Sequence, residues 1–322
     1  MKILRRIVWT CIAVGALWLC LCAAMGVIVG ESALHPDRSV ITPREEAQAA
    51  AMAQRDDLVL TSVELRADDG VVLKAWQLHP ARWNGNYVFI LHGQGDNRAS
   101  MLGIADLLVR HQFGVLVPDA RAHGMSGGAI ATYGVIERND VRDWFEWMKA
   151  SRHPHCIDAI GESMGAAQVL ESLSEEPAFC AVIAESPFAS FREAGYDRIG
   201  QQFNTGPWLG RTVLRPAIEL GLLYARVRYG VQLSHAVPAE SAAESHVPIL
   251  LIHGLKDDDL PPRHSEMILM LSRGRNEHVS LWEVANGGHT NAMSTEPAEY
   301  ERRVIGWLNV HDQDAKGQAQ RP

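Results

Sequence analysis

Gly161-Glu162-Ser163-Met164-Gly165 has the form G-x-S-x-G. An apolar run, Cys156-Ile157-Asp158-Ala159-Ile160, precedes it, and good helix formers from Ala166 to Leu173 follow. A serine on a sharp turn between strand and helix points its hydroxyl into open space, and the helix N-terminus behind it favours developing negative charge. Glycines on either side leave room for the strained backbone. The chemistry suggested is attack of Ser163 on an acyl carbonyl. Such a hydroxyl needs a base to take its proton and an acid to orient that base. Two later loops supply both residue types. His253-Gly254-Leu255-Lys256-Asp257-Asp258-Asp259-Leu260-Pro261 follows one apolar run, and Gly287-Gly288-His289-Thr290 follows the next.

Asp257 fits the pattern H-G-x-x-D-x-x-hydrophobic-P and is the first choice of acid. Asp258 is the second, and a solvated turn accounts for the remaining carboxylates. His289 is the expected base, because glycines and a strand come directly before it; His253 and His123 are expected to hold turns. An oxyanion needs two backbone N–H donors. One is the amide of Met164, and the other is assigned to Gln94 in His92-Gly93-Gln94-Gly95. That loop has no Lys-Ser/Thr pair and no G-x-G-x-x-G spacing, so it does not read as a phosphate cradle. No His/Cys/Asp cluster shows metal-ligand spacing. Neither a cofactor nor a metal is expected. Asp119 and Arg121, in Asp119-Ala120-Arg121-Ala122-His123-Gly124, are expected to brace their loop.

The elements that must position these residues alternate. Leu58 to Arg66 and Val71 to His79 flank Asp68-Asp69-Gly70 as a hairpin. Short apolar strands follow at Tyr87–Leu91, Phe113–Pro118, Cys156–Gly161, Cys180–Glu185, Pro248–Ile252 and His278–Val284. Helical patterns separate them at Arg98–His111, Glu137–Ala150, the stretch after Ser163 and Pro262–Ser272, with a closing helix at Pro297–Val310. This pattern means a mostly parallel sheet covered on both faces. Serine, acid and histidine all fall at its carboxyl edge, where such sheets bind ligands. About sixty residues between Glu185 and Pro248 interrupt the rhythm. An insertion that long reads as a functional cap over about 190–238.

The chain has 322 residues, 47% hydrophobic and 21% charged, enough for one large domain and an extension. Lys2, Arg5 and Arg6 precede Ile7 to Gly30, a run of 24 residues without a charge. At ~1.5 Å per residue this spans a ~30 Å hydrocarbon core. Residues 1–30 therefore read as a membrane anchor with the basic flank in the cytoplasm and the rest outside it. A cleaved signal peptide, leaving a secreted protein, is the other reading; the run is longer than such peptides need. Residues 31–57 read as a linker that holds Pro36, Pro43 and a helix-prone stretch from Arg44 to Gln54, 58–312 as the globular domain, and 313–322 as a disordered polar tail. The net charge is −8, and the first thirty residues hold +3, so the remainder carries −11. An acidic domain argues against nucleic acid or an anionic lipid surface as ligand. Cys156 and Cys180 each begin a strand and could meet at one sheet edge; two separate buried thiols is the slightly preferred reading.

Taken in this order, the motifs resemble the α/β-hydrolase superfamily, and within it membrane-anchored bacterial hydrolases of the esterase/lipase or serine aminopeptidase-like kind. The resemblance covers roughly residues 58–310. It carries His92-Gly93, Asp119-x-Arg121-x-His123-Gly124-x-Ser126, Tyr133-Gly134, the Ser163 motif, Glu185-Ser186-Pro187-Phe188, the Asp257 turn and His289. It implies an eight-stranded α/β-hydrolase fold, with Ser163 as nucleophile, Asp257 as acid and His289 as base. The expected activity is cleavage of carboxylic esters or thioesters in a small-molecule or lipid-like acyl substrate. A serine peptidase, or a non-catalytic binding protein on the same fold, is the alternative. The insert from about Ser190 to Pro238 matches nothing in that resemblance.

Overall fold

The computed structural model describes the backbone of residues 1–175 and 178–319 and side chains as far as 312. Strands β1 (Leu58–Arg66), β2 (Val72–Pro80), β3 (Asn86–Leu91), β4 (Gly114–Pro118), β5 (Cys156–Glu162), β6 (Val182–Glu185), β7 (Ile249–Gly254) and β8 (Val279–Val284) form one sheet. Their spatial order is β1-β2-β4-β3-β5-β6-β7-β8. β2 pairs antiparallel with β1 and β4, and every other pair is parallel. This is the α/β-hydrolase fold the sequence predicts.

The chain passes outward from β3 to β4 and then returns to β5, on the other side of β3. The loops leaving β3 and β5 therefore point into the same crevice, the switch point where open α/β sheets bind ligands. Leu91 is in register with Gly161, so His92-Gly93 lies across from Glu162-Ser163.

Before the sheet come α1 (Lys2–Leu34) and α2 (Pro43–Arg55); α3 (Leu102–Arg110), α4 (Glu137–Arg152) and α5 (Met164–Ser172) connect the central strands. Between β6 and β7 lie α6 (Phe191–Gln202), α7 (Trp208–Arg211), α8 (Arg215–Tyr229) and α9 (Pro238–Glu244), so the expected cap is helical. The remaining helices are α10 (Arg263–Ser272), α11 (Ala292–Thr295) and α12 (Pro297–Ala319). Two cores cover the sheet, one per face. Along β3, Phe89 and Leu91 join the core under α4 and α5, while Val88 and Ile90 join the core under α2, α3 and α12. Both faces being buried explains the unbroken apolar strand sequences.

Two readings change, and the helix expected at Arg44–Gln54 is present. Cys156 and Cys180 are joined in a disulfide with Cα atoms 5.8 Å apart, not separate thiols. The Cys180 N–H donates to the Ile157 carbonyl, which brings the start of β5 and the residues before β6 level with each other. The polar tail from Gln313 continues α12 as far as Ala319, and residues 320–322 lie outside the described residues. The stretch 31–57 holds the end of α1, then α2, whose Thr42–Glu45 capping box fixes its start and whose Ala49 and Met52 are buried. The segment between these helices docks on the body: Arg38 donates to the Ala122 and Gly128 carbonyls, and Asn97 donates to the Ser39 carbonyl.

α1 is long and apolar enough to cross a membrane. Most of it is exposed, except a stripe of Cys22, Gly26, Gly30 and Leu34. The two glycines of that stripe pack on α8 of the cap.

Candidate active site

Ser163 stands between β5 and α5 at φ 52, a left-handed backbone that side chains rarely adopt. Two glycines make this turn possible. A Cβ on Gly161 would lie 2.5 Å from the Ala166 nitrogen, and one on Gly165 would lie 2.3 Å from the Leu91 carbonyl oxygen. The first lets the helix double back over the strand; the second lets it press against β3. The Ser163 N–H donates to the Glu185 carbonyl, which pins the turn to the end of β6.

His289 follows β8 in the loop that Gly287 and Gly288 open. Its Nε2 lies 2.9 Å from Ser163 Oγ, and its Nδ1 lies 2.8 Å from Asp257 Oδ2. Asp257 follows β7 and is buried. Its Oδ1 accepts the Asp259 and Leu260 amides at 3.0 and 2.8 Å. Burial would raise this carboxyl, but hydrogen bonds from His253 and His289 and the charge of His289 outweigh it. The group is held well below the usual carboxylate range. The structure thus brings together the three residues picked from sequence, and it places them on loops after β5, β7 and β8. Asp258 is exposed, and its backbone carbonyl accepts from Gln201. Asp259 has one carboxylate oxygen 3.8 Å from His289 Nε2 and pairs with Arg198 of the cap at 2.6 Å.

A Cβ on Gly93 would sit 3.5 Å from the Ser163 Cβ, so the β3 loop lies directly beside the serine. Gln94 is the next residue, exposed at the crevice, and Met164 begins α5. These are the two residues whose amides the sequence suggests as oxyanion donors. His92 is fully buried; its Nδ1 faces the Gly93 carbonyl at 2.7 Å and its Nε2 accepts the Ala120 amide at 3.0 Å. Burial, then the neighbouring His123, pushes it down to about 3, so it is a neutral strut. His253 and His123 also hold turns, through Leu260 and Arg121 carbonyls.

The model of the alpha/beta hydrolase family matches residues 88–303. The chain belongs to that family. Among its relatives, YqkD of Bacillus subtilis is 27% identical over 234 residues, covering 70% of this chain and 72% of that protein. YfhR of Escherichia coli K12 is 25% identical over 256 residues, covering 77% and 80%. The esterase Pf2001 of Pyrococcus furiosus superposes with a TM-score of 0.66 at 24% identity, over 85% of this chain and 98% of the esterase. An acylaminoacyl peptidase of Pyrococcus horikoshii gives 0.57 at 17%, over 76% and 40%. At these identities the likeness of the solved structures is one of fold.

Within this alpha/beta hydrolase, several supporting residues escape a reading by motif. Asn291 accepts the Gly288 amide at 2.8 Å and so shapes the His289 loop. Glu185 accepts the Ala292 amide at 2.9 Å and ties the same loop to β6. Burial, then the charges of Glu185 and Asp96, raises Glu162 well above the usual range, and burial also raises Glu185. Asp119 and Arg121 brace their loop as expected. Asp119 accepts the Arg98 and Met125 amides, and Arg121 forks onto Asp140 at 2.6 and 2.9 Å and reaches Asp69 at 2.6 Å. Among the described residues, Cys156, Cys180 and Asp312 are the one close group of metal-type ligands, and the two sulfurs are bonded to each other.

Proposed function

We propose that the protein is a serine hydrolase that cleaves carboxylic esters or thioesters through an acyl-enzyme on Ser163. The observation that carries this reading is the continuous hydrogen-bonded chain from Ser163 through His289 to Asp257, at 2.9 and 2.8 Å. Ser163 Oγ attacks the acyl carbon while its proton passes to His289 Nε2. Asp257 keeps the other ring proton on Nδ1 and stabilises the imidazolium that results. The Met164 and Gln94 amides take the oxyanion. The leaving alkoxide departs with the proton from Nε2. Water, deprotonated by the same nitrogen, then releases the acid and restores Ser163.

The reading extends to location. α1 anchors the chain with Lys2, Arg5 and Arg6 in the cytoplasm and the hydrolase outside, and the Cys156–Cys180 bond supports an oxidising compartment. The substrate class is a small-molecule or lipid-like acyl compound.

A fluorophosphonate probe on the folded chain tests the chemistry. It should label wild type, and Ser163→Ala should remain unlabelled; absence of labelling in folded wild type overturns the proposal. A parallel screen of p-nitrophenyl esters and aminoacyl anilides decides between ester and peptide bonds, and faster turnover of the anilides would move the assignment to a peptidase.

A further inference from the structure

The last third of α1 runs beside α8 of the cap, in the same direction. Gly26 faces Ala217 and Gly221, and Gly30 faces Gly221 and Tyr224. Further along, Glu31 accepts hydrogen bonds from the hydroxyls of Tyr224 and, at 2.6 Å, Tyr229. A Cβ on Gly26 would lie 2.4 Å from the Ala217 carbonyl oxygen, so the two backbones touch. Contacts of small residues on both helices are the usual means of helix association in lipid.

This packing fixes the depth of α8. A ~30 Å hydrocarbon core takes about 20 helical residues at ~1.5 Å each. Counted from Ile7, the core ends near Gly26, the residue against Ala217. The N-terminal end of α8 and the turn before it therefore reach the hydrocarbon boundary, and the rest of α8 rises away from it. That edge exposes large apolar side chains, Trp208 at 62% and Val213 at 47%, and Leu223, exposed at 52%, follows farther up α8. Its charge is also of the opposite sign to the body. Arg211, paired with Glu193, and Arg215, 3.7 Å from Glu219, lie at this end, and the cap as a whole, residues 190–238, holds six arginines against three acids in a chain of net charge −8. Arginine stems lie along apolar surface with the charge at headgroup level, and tryptophan favours the same level.

We propose that the α7–α8 edge of the cap sits in the headgroup interface of an anionic bilayer, on the leaflet where α1 leaves the membrane. The proposal rests on reading α1 as the anchor. It also amends the expectation that an acidic domain avoids anionic lipid, because the cap is net positive, with six arginines against three acids over residues 190–238.

Spin-label accessibility on the full chain tests it, in vesicles of phosphatidylcholine with one third phosphatidylglycerol. Cys11, Cys20 and Cys22 are the free cysteines, and the other two are bonded. Replacing the free ones by alanine allows single labels at Val213→Cys, Leu223→Cys, Val227→Cys and, on the hydrolase body, Met270→Cys; a variant keeping Cys11 reports on the anchor. Collisions with oxygen should exceed those with a water-soluble nickel chelate several-fold at Cys11 and at residue 213. The excess should shrink at 223, vanish at 227 and reverse at 270. Nickel dominating at 213 and 223 while Cys11 stays in lipid overturns the docking and leaves the anchor intact. Strong dipolar broadening at 213 and 223 means that a second copy covers the edge, and also overturns it. Nickel dominating at Cys11 removes the anchor and the docking together.

Discussion

Asp257→Asn is the substitution whose effect the geometry determines most fully. Asp257 Oδ1 receives two backbone amides, from Asp259 and Leu260 at 3.0 and 2.8 Å. Both are donors, so the asparagine must keep its carbonyl oxygen there. Its NH2 group is then forced into the Oδ2 position, 2.8 Å from His289 Nδ1. An NH2 group cannot accept, so Nδ1 must give up its proton and become the acceptor. The ring proton moves to Nε2, which faces Ser163 Oγ at 2.9 Å. The base now presents a donor to the hydroxyl it has to deprotonate. A wrong tautomer of this kind costs roughly 10⁴-fold in kcat, or about 5.5 kcal/mol of transition-state stabilisation. The fold favours the ionised carboxyl at this position, so the neutral isostere should also lower the thermal midpoint. The assay is p-nitrophenyl ester hydrolysis, together with the rate of fluorophosphonate labelling, in variants verified by circular dichroism as fully folded at the assay temperature. Asp258→Asn should retain wild-type rates, because the Asp258 side chain is exposed. Asp259→Asn should lose little, since Asp259 lies 3.8 Å from Nε2 and is shared with Arg198. Asp257→Asn retaining a tenth of wild-type activity, or Asp258→Asn falling with it, refutes the reasoning.

Three further predictions concern stability. Burial pushes Glu171, between α5 and α9, up to about 7, so the folded state holds its proton more tightly than the unfolded chain does. Wild-type stability should fall as pH rises from about 4.5 through about 7, by about 3 kcal/mol. Glu171→Gln should raise the denaturant midpoint near pH 8 and leave it unchanged near pH 4; equal midpoints at both would discount the effect. Arg121→Met strands the buried Asp140 without its cation and should cost about 3–5 kcal/mol, whereas Arg121→Met with Asp140→Leu should recover most of that, by chemical denaturation. Cys156 and Cys180 close a loop with a sequence separation of 24, so Cys156→Ala with Cys180→Ala should lose about 3–4 kcal/mol, and reductant should reproduce the loss in wild type.

Most of the fold was legible because its signals are local. The apolar runs of β3 to β7 mark strands buried on both faces, and the glycines around Ser163 mark a backbone position that sterics forbids to other residues. The candidate triad was legible because each member ends or follows a strand, which places it at one sheet edge by topology alone. Asp257 could be ranked above Asp258 by pattern. Its two amide donors and its burial depend on how the loop closes, and no spacing encodes that. The disulfide was a matter of register. Cys156 and Cys180 had to come level on adjacent strands, and sequence left open whether β5 and β6 were neighbours at that height. The cap was least legible, because α6 and α8 answer to the acid loop and to α1 rather than to their own periodicity.

Those two attachments give the cap its place in the architecture. On one side Gly26 and Gly221 let α1 and α8 meet backbone to backbone. On the other, α6 reaches the loop of the candidate acid: Arg198 bonds the Asp259 carboxylate at 2.6 Å, and Gln201 Nε2 donates to the Asp258 and Asp259 carbonyls at 2.6 and 2.8 Å. Between them Gly210 of α7 lies flat against the Tyr196 backbone of α6, where a Cβ would come within 2.7 Å. An unbroken run of close contacts therefore leads from the N-terminal helix through α8, α7 and α6 to the residues flanking Asp257. The segment after α1 closes the circuit from the other direction, since Asn97 holds Ser39 just beyond the Gln94 loop. The N-terminal helix, the cap and both rims of the Ser163 crevice thus contact one another in series, so a substitution that separates α1 from α8, such as Gly26→Leu, should lower p-nitrophenyl ester turnover without touching Ser163, Asp257 or His289.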